Sequence, residues 1–273
     1  NVGVGMPSSN PAFLAALFLL LLAAGPAASQ GGPGRLYAVD GDCDGRPRTA
    51  VAMAEGYCLG RVWQRSGNDG PRMPRGLMEM PDGDWLVTDL GSWDEGRGAV
   101  WRMTLAAGGP VRWSRLMHGL SMPHTIARGP DGRVYVAEMS RILAFDPAHP
   151  EAAVVVIGGL PDNRLHENRH PLSSFVFDGD GALLVNVGAP SDRCLTAAGA
   201  PRRDARGQCA EGAEQGMVRR YPPAGPGRWS QAWTAYASGL RNSVALVRHP
   251  SGAIYQAENS VDLTAPDRPF DEI

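Results

Sequence analysis

Apolar and polar residues alternate in short runs, each placed directly after a turn, and this unit occurs four times along the chain. Period-two alternation is typical of a strand that is buried on one side. The four runs, most of which end in a polar or charged residue, are Trp85-Leu86-Val87-Thr88-Asp89, Val134-Tyr135-Val136-Ala137-Glu138, Leu183-Leu184-Val185-Asn186 and Ile254-Tyr255-Gln256-Ala257-Glu258. The pattern predicts antiparallel hairpins and few helices.

The turns begin at residues 81, 130 and 179, so each step is 49 residues, and a fourth follows at residue 250. Proline presets the first angle of such a turn and glycine accepts its last one. Self-similarity at this period is the signature of a β-propeller, whose blades must stack because one blade cannot bury both faces. We therefore predict an all-β fold, a β-propeller of four-stranded blades. A β-sandwich is the alternative, but it does not explain the period.

Four repeats close a ring of blades less comfortably than six or more. About four blades are therefore expected here out of six in the full protein, with the C-terminal blades missing. Residues 30–273 are predicted to be this propeller domain. Residues 1–29 are predicted to be a signal peptide, because the apolar run 13–24 is followed by the small residues Ala27-Ala28-Ser29. An uncleaved anchor is the alternative, but the run is short for a bilayer span of about 20 residues. The protein is therefore expected to be periplasmic or secreted, with no membrane span after cleavage.

The four cysteines and the charge balance fit an exported protein. The net charge is −2, and no basic stripe points to nucleic acid. No C-x-x-C pair is present, and an oxidising compartment favours disulfides between Cys43 and Cys58 and between Cys194 and Cys209. Other pairings and free thiols are the alternatives. The second pair lies in an insertion at about 190–212, which we predict to be a surface loop near the mouth of the propeller.

Candidate chemistry comes from the residues that stand nine positions before each turn. They should be structurally equivalent, and they are Arg72, Ser121, His170 and Arg241. Equivalent loops of a propeller converge on one face, so His170 and Arg241, with Asn242 beside it, are expected to share a cavity. A histidine there suits a general base, and an arginine suits a carboxylate ligand. In the alternative, His170 caps a turn in solvent and Arg241 makes a surface ion pair.

The other polar residues give weaker signals. A metal pair formed by His166 and His170 is disfavoured, because Pro171 pushes the preceding residue away from a helix. Histidines near turns are predicted to be solvated, and these are His118, His124, His149 and His249. Carboxylates at strand ends either ligate Ca²⁺ with carbonyls or bond backbone N–H groups, and these are Asp89, Glu138 and Glu258.

Several segments together resemble the soluble glucose/sorbosone dehydrogenases, which are exported six-bladed propellers that use pyrroloquinoline quinone (PQQ) and Ca²⁺. The segments are Gly239-Leu240-Arg241-Asn242, His249-Pro250, Glu258-Asn259-Ser260 and Asp271-Glu272-Ile273. The stretch from His170 to Gly181 is similar to the family segment that bears the catalytic histidine. The likeness covers about residues 60–273. Arg169 stands where glucose-oxidising members have an acidic residue.

The resemblance implies a specific activity. His170 would take the proton from the C1 hydroxyl of an aldose or sorbosone-like sugar while hydride passes to PQQ. Arg241 and Asn242 would contact PQQ, and the backbone carbonyls of Ser260 and Val261 would help to bind Ca²⁺. Electrons would leave to an external acceptor. A Ca²⁺-dependent propeller lactonase and a non-catalytic propeller that binds a glycan or a protein are the alternatives.

Overall fold

The computed structural model describes residues 39–106, 109–163, 170–196, 198–205, 210 and 214–259. The chain divides into two compact units, Asn1–Val62 and Trp63–Ile273. In the first, strands β1 (Val39–Cys43) and β2 (Arg46–Thr49) form an antiparallel hairpin. A disulfide joins Cys43 to Cys58, as predicted. It ties the end of β1 to the segment that follows β2.

In the described residues, the second unit is built from antiparallel sheets. Within each sheet, the strands lie side by side in the order in which they occur along the chain. Three sheets have four strands and one has two. The first sheet contains β3 (Pro74–Glu79), β4 (Trp85–Asp89), β5 (Gly98–Leu105) and β6 (Val111–Leu120). The second contains β7 (Ile126–Arg128), β8 (Val134–Glu138), β9 (Arg141–Asp146) and β10 (His149–Ile157). The third contains β11 (Phe175–Phe177), β12 (Leu183–Val187), β13 (Met217–Tyr221) and β14 (Thr234–Ser238), and the two-stranded sheet pairs β15 (Ser243–Arg248) with β16 (Ile254–Glu258).

This arrangement confirms the all-β propeller. Each alternating run of the sequence is the second strand of a sheet, namely β4, β8, β12 and β16. The described residues therefore contain three complete blades and the first two strands of a fourth. They contain no helix that has the length and apolar character to cross a membrane.

The core lies between neighbouring blades, which explains why the second strands are more buried than simple alternation predicts. All five residues of β8 and all five of β12 are buried. Between the second and third blades, Tyr135 packs edge to face on Phe177 and on Trp229, with ring centroids 5.1 and 5.6 Å apart. Each such strand has a sheet on both sides, so polar residues remain only where they make specific hydrogen bonds.

Side-chain hydroxyl groups join the inner strands of adjacent blades. Thr125 Oγ1 donates to the carbonyl of Ser173 at 2.8 Å, and Ser174 Oγ donates to the carbonyl of Ser243 at 2.5 Å. Thr125 and Ser174 both stand five residues before their turns. The equivalent residue of the first blade is Gly76, and there Thr88 Oγ1 donates to the carbonyl of His124 instead. In the first blade the hydroxyl group thus comes from Thr88 on the neighbouring strand, β4. The residue opposite it is glycine, because a Cβ at Gly76 would lie 3.0 Å from Oγ1 of Thr88.

Several predictions concern residues outside the described ranges. The signal peptide at 1–29 lies there, as do His166, Arg169, Ser260 and Val261. In the insertion at about 190–212, the described residues hold one isolated bridge, Leu195 to Pro201, and no strand. Cys194 is disulfide-bonded, whereas Cys209, its predicted partner, lies outside the described residues.

Candidate functional site

The acidic residues at the strand ends bind backbone N–H groups. Glu138 Oε1 accepts from the N–H of Ser121 at 2.6 Å, and Glu258 Oε1 accepts from the N–H of Arg241 at 2.6 Å. Asp89 Oδ1 accepts in a similar way from Met73, at 2.7 Å. The sequence left two interpretations of these carboxylates, Ca²⁺ ligation and bonding to backbone N–H groups, and the structure shows the second. In the described part of the chain, no three His, Cys, Asp or Glu side chains cluster as a metal site.

The third blade, which contains the candidate base, has no acidic residue at this strand end. Val187 replaces the acidic residue, and the residue nine positions before the turn is His170. Its side chain is only 6% exposed, and Nδ1 lies 2.5 Å from the carbonyl oxygen of Ala189. A Cβ at Gly188 would lie 2.5 Å from the Cβ of His170, so glycine is required there. The alternative in which His170 caps a turn in solvent is therefore wrong.

The contact with Ala189 decides which ring nitrogen of His170 is basic. A carbonyl oxygen only accepts, so Nδ1 carries the proton and Nε2 is the acceptor of the neutral ring. Burial lowers the pKa of His170 below its usual 6.5, and the charge of Arg241 lowers it further, while the Ala189 bond and Asp192 oppose this shift. His170 is therefore neutral at neutral pH, with Nε2 ready to accept a proton.

Asp192 links His170 to Arg241. Its Oδ1 lies 3.2 Å from Nε2 of His170 and accepts from Nη2 of Arg241 at 2.7 Å. Nη1 of Arg241 donates to the carbonyl of Asn259 at 2.9 Å, and the Arg241 carbonyl accepts from the N–H of Ala189 at 2.7 Å. Sequence reasoning brought His170 and Arg241 together but missed Asp192. Asp192 lies in the irregular insertion, where no repeat marks its position.

The guanidinium of Arg241 is partly buried, with 16% of its side chain exposed. Its Nε is buried and has no hydrogen-bond partner among the described residues. The partner of Arg241, Asp192, is 38% exposed and connects the group to solvent. Arg241 thus makes an ion pair, as the same alternative interpretation expected, but the pair lies against the buried His170 rather than on an open surface.

A cavity of about 380 Å³ lies beside this group. Its wall includes His170 and Asn242, together with the residues that stand six positions before each turn. The lining residues are Arg75, Gly76, Trp93, Met122, His124, Thr125, His170, Pro171, Ser173, Asn242, Val244 and Asn259. Among the described residues, the lining contains one cationic side chain and no carboxylate, which favours an anionic or a polyhydroxy ligand. Arg241 is not part of the lining.

His124 is the main correction to the sequence analysis, which predicted that its side chain is solvated. It is only partly exposed and lines the cavity. Burial lowers its pKa below 6.5, and the charge of Arg75 acts in the same direction, against the bond to Met122. His118, His149 and His249 are exposed, as predicted. The signal that was missed is the spacing of six residues before the turn, which His124 shares with Arg75.

Asn242 is fixed from the neighbouring blade. Nδ2 of the buried Asn186 donates to Oδ1 of Asn242 at 3.4 Å and to Oγ of Ser173 at 3.1 Å. Ser173 and Asn242 both line the cavity. Because its oxygen accepts this bond, Asn242 is oriented with its amide NH₂ group as the donor that remains for a ligand.

No family model matches the chain, and no curated protein matches it. Several solved structures, in contrast, are similar to the chain. The holo PQQ domain of pyranose dehydrogenase from Coprinopsis cinerea is 20% identical, with a TM-score of 0.55, over 83% of this chain and 53% of that one. A calcium structure of a Trichoderma reesei carbohydrate-active enzyme of family AA12 is 22% identical, with a TM-score of 0.54, over 89% of this chain and 57% of that one.

The chain thus spans about half the length of the solved structures that it matches. At this level of identity the match establishes the fold. It agrees in fold with the resemblance seen in the sequence, which also pointed to a β-propeller. The described part of the chain has the propeller fold of the PQQ-dependent sugar dehydrogenase domains.

Proposed function

We propose that the protein is an exported quinoprotein that oxidises an aldose or sorbosone-like sugar at C1, with PQQ as cofactor and Ca²⁺ as its metal. The observation that carries the proposal is His170, a buried, neutral imidazole whose Nδ1 is fixed on Ala189 and whose side chain lines the cavity. The Cys43–Cys58 disulfide supports export to an oxidising compartment.

The cavity wall fits PQQ, which is flat and carries carboxylates. Arg75 supplies a guanidinium, Asn242 an amide donor and Trp93 an exposed indole, and none of the described lining residues carries a carboxylate that would oppose an anion. Arg241 does not line the cavity and remains a PQQ contact predicted from the sequence resemblance alone. Bound PQQ supplies the hydride acceptor of the reaction. The Ca²⁺ carbonyls of Ser260 and Val261 remain a prediction.

The residues of the chain would handle the proton. Nε2 of His170 accepts it from the C1 hydroxyl of the sugar. The imidazolium that forms is stabilised by the carboxylate of Asp192 at 3.2 Å and by the carbonyl of Ala189. Before the transfer, Nε2 and Asp192 are both acceptors, so their attraction develops only as His170 becomes charged. Such an interaction lowers the barrier rather than the energy of the ground state.

Asp192 also provides a path by which the proton can leave His170 for solvent. Its side chain is 38% exposed, whereas His170 is 6% exposed. A proton on Nε2 can therefore pass through the carboxylate to water. Arg241 keeps Asp192 in place through the 2.7 Å ion pair and is itself held by Glu258 and Asn259. The electrons would pass to an external acceptor.

The test is dye-linked oxidation of a panel of aldoses by the full-length protein, with and without added PQQ and Ca²⁺. Dye reduction that requires both additions supports the proposal. A folded protein that binds sugars but turns over none of them would contradict it and favour a glycan-binding propeller. Turnover of lactones with Ca²⁺ alone would favour a lactonase. In the described part of the chain, the carboxylates that a lactonase would use for Ca²⁺, those of Asp89, Glu138 and Glu258, accept hydrogen bonds from backbone N–H groups instead.

A further inference from the structure

The segment before His124 has an unusual backbone conformation. Met122 has a φ of 51°, in the left-handed region that residues other than glycine rarely adopt, and it is 2% exposed. Such strain persists only where the surroundings enforce it, and it is concentrated at functional sites. A Cβ at Gly98 would lie 2.2 Å from Cδ of Pro123, so the turn is pressed against the first blade.

The strained turn fixes the ring of His124. The carbonyl of Met122 lies 2.9 Å from Nδ1 of His124. The backbone of His124 is held at both ends, because its N–H donates to the carbonyl of Ala137 at 2.9 Å and its carbonyl accepts from Thr88 Oγ1. As at His170, the carbonyl contact places the ring proton on Nδ1 and leaves Nε2 as the acceptor.

The two imidazoles therefore repeat one design in adjacent blades. Both line the same cavity, and both have Nδ1 on a backbone carbonyl at the site. They differ in the partner of Nε2. His170 has Asp192 beside it. The ring of His124 has one hydrogen-bond partner among the described residues, the Met122 carbonyl at Nδ1, so Nε2 has none there. His124 thus lacks the carboxylate that would stabilise a proton taken up there, and it is suited to accepting a hydrogen bond instead.

We propose that Nε2 of His124 accepts a hydrogen bond from a second hydroxyl group of the sugar, other than the one that His170 deprotonates. This inference rests on the proposed sugar-binding function of the cavity and adds to it a residue that determines specificity. The substrate class is then a sugar with hydroxyl groups at two positions that the cavity contacts at once. A site that bonds a hydroxyl discriminates against analogues that lack it, because its polar atom is left unpaired.

The test uses two substitutions at His124 and one control. His124→Asn keeps a donor near the position of Nδ1 and removes Nε2, whereas His124→Gln places an amide group near the position of Nε2. His249→Asn, at an exposed histidine, is the control. In steady-state kinetics of the full-length holoenzyme, His124→Asn should raise KM roughly tenfold with kcat nearly unchanged. His124→Gln should recover much of that loss.

Monodeoxy sugars identify the hydroxyl. One deoxy analogue should bind about tenfold more weakly to the wild type and should lose nothing further in His124→Asn. Equal losses for every deoxy analogue in both proteins would overturn the inference, as would an unchanged KM.

A binding measurement separates this inference from the proposed reaction. Calorimetry with 1,5-anhydroglucitol, which has no C1 hydroxyl to oxidise, reports on sugar binding without turnover. Weaker binding to His124→Asn supports the inference even if no sugar is oxidised. Turnover in the wild type, together with unchanged KM and unchanged anhydroglucitol binding in His124→Asn, refutes the inference and leaves the dehydrogenase intact.

Discussion

Nε2 of His170 lies 3.2 Å from Oδ1 of Asp192, and the two residues come from different kinds of structure. His170 precedes the inner strand of the third blade, where the repeat fixes its position. Asp192 belongs to the insertion that follows β12. Their pairing makes the activity of the proposed base depend on a loop that the propeller repeat does not encode.

Asp192→Asn should change both the rate and its pH dependence. The neutral form of His170 is the active one, so kcat/KM should rise with pH through a pKa below 6.5 and then level off. Because Asp192 raises this pKa, its neutralisation should move the acid limb to lower pH. The plateau should fall, since the imidazolium loses its partner. Asp146→Asn, at an exposed carboxylate, is the control, and an unshifted acid limb in Asp192→Asn would refute the assignment.

Glu258 and Glu138 make the same backbone contact in two blades and can be compared directly. Alanine at either position leaves a partly buried N–H without its acceptor, which should lower the free energy of unfolding by about 1 kcal/mol. Only Glu258→Ala should also lower kcat, because Glu258 holds Arg241 and hence Asp192. Urea unfolding and steady-state kinetics measure the two effects. An equal loss of kcat in Glu138→Ala would show that the effect is not transmitted through Arg241.

Gly76→Ala should destabilise the fold at the contact between the first and second blades. The added Cβ would lie 2.6 Å from the carbonyl oxygen of His124 and 3.0 Å from Oγ1 of Thr88, whose hydroxyl bonds that carbonyl. Overpacking of this kind costs about 1–3 kcal/mol. Gly158→Ala is the matched control, since its Cβ would meet only Cγ1 of Val155 at 3.4 Å. Equal midpoints of urea unfolding for the two variants would contradict the contact.

The two cavity histidines should make the protein sensitive to acid. Burial lowers the pKa of both His124 and His170, so below about pH 6.5 the unfolded chain binds more protons than the folded one. The free energy of unfolding should therefore fall as the pH drops below 6.5. The variant with His124→Asn and His170→Asn should show a shallower fall than the wild type. His249→Asn should keep the wild-type slope, and an equally steep fall in the double variant would refute this origin of the acid sensitivity.

The sequence predicted the blades because their signal is repeated. Turns at 81, 130, 179 and 250 mark the first hairpin of each blade, and the nine-residue count placed Ser121 and Arg241 at equivalent positions, each bonded by the glutamate at its strand end. The same count found His170, where Val187 interrupts the pattern. The contact of Asp192 with His170 could not be predicted, because an irregular loop has no repeat that marks equivalent positions. His124 was misjudged because a turn histidine is usually solvated, and only the strained backbone of Met122 and the adjacent blade turn it inward.

His170 is proposed to be the base of the sugar oxidation, and the variant His170→Asn removes that base. Asparagine keeps a donor for the carbonyl of Ala189 and removes Nε2. The measurement is the single-turnover rate at which a sugar reduces PQQ bound to the full-length protein, followed by absorbance as a function of pH. We expect unchanged PQQ binding, a rate about 10²–10⁴-fold lower, and no acid limb in the pH dependence of the rate. A variant that reduces PQQ at the wild-type rate, with the wild-type pH dependence, would contradict it.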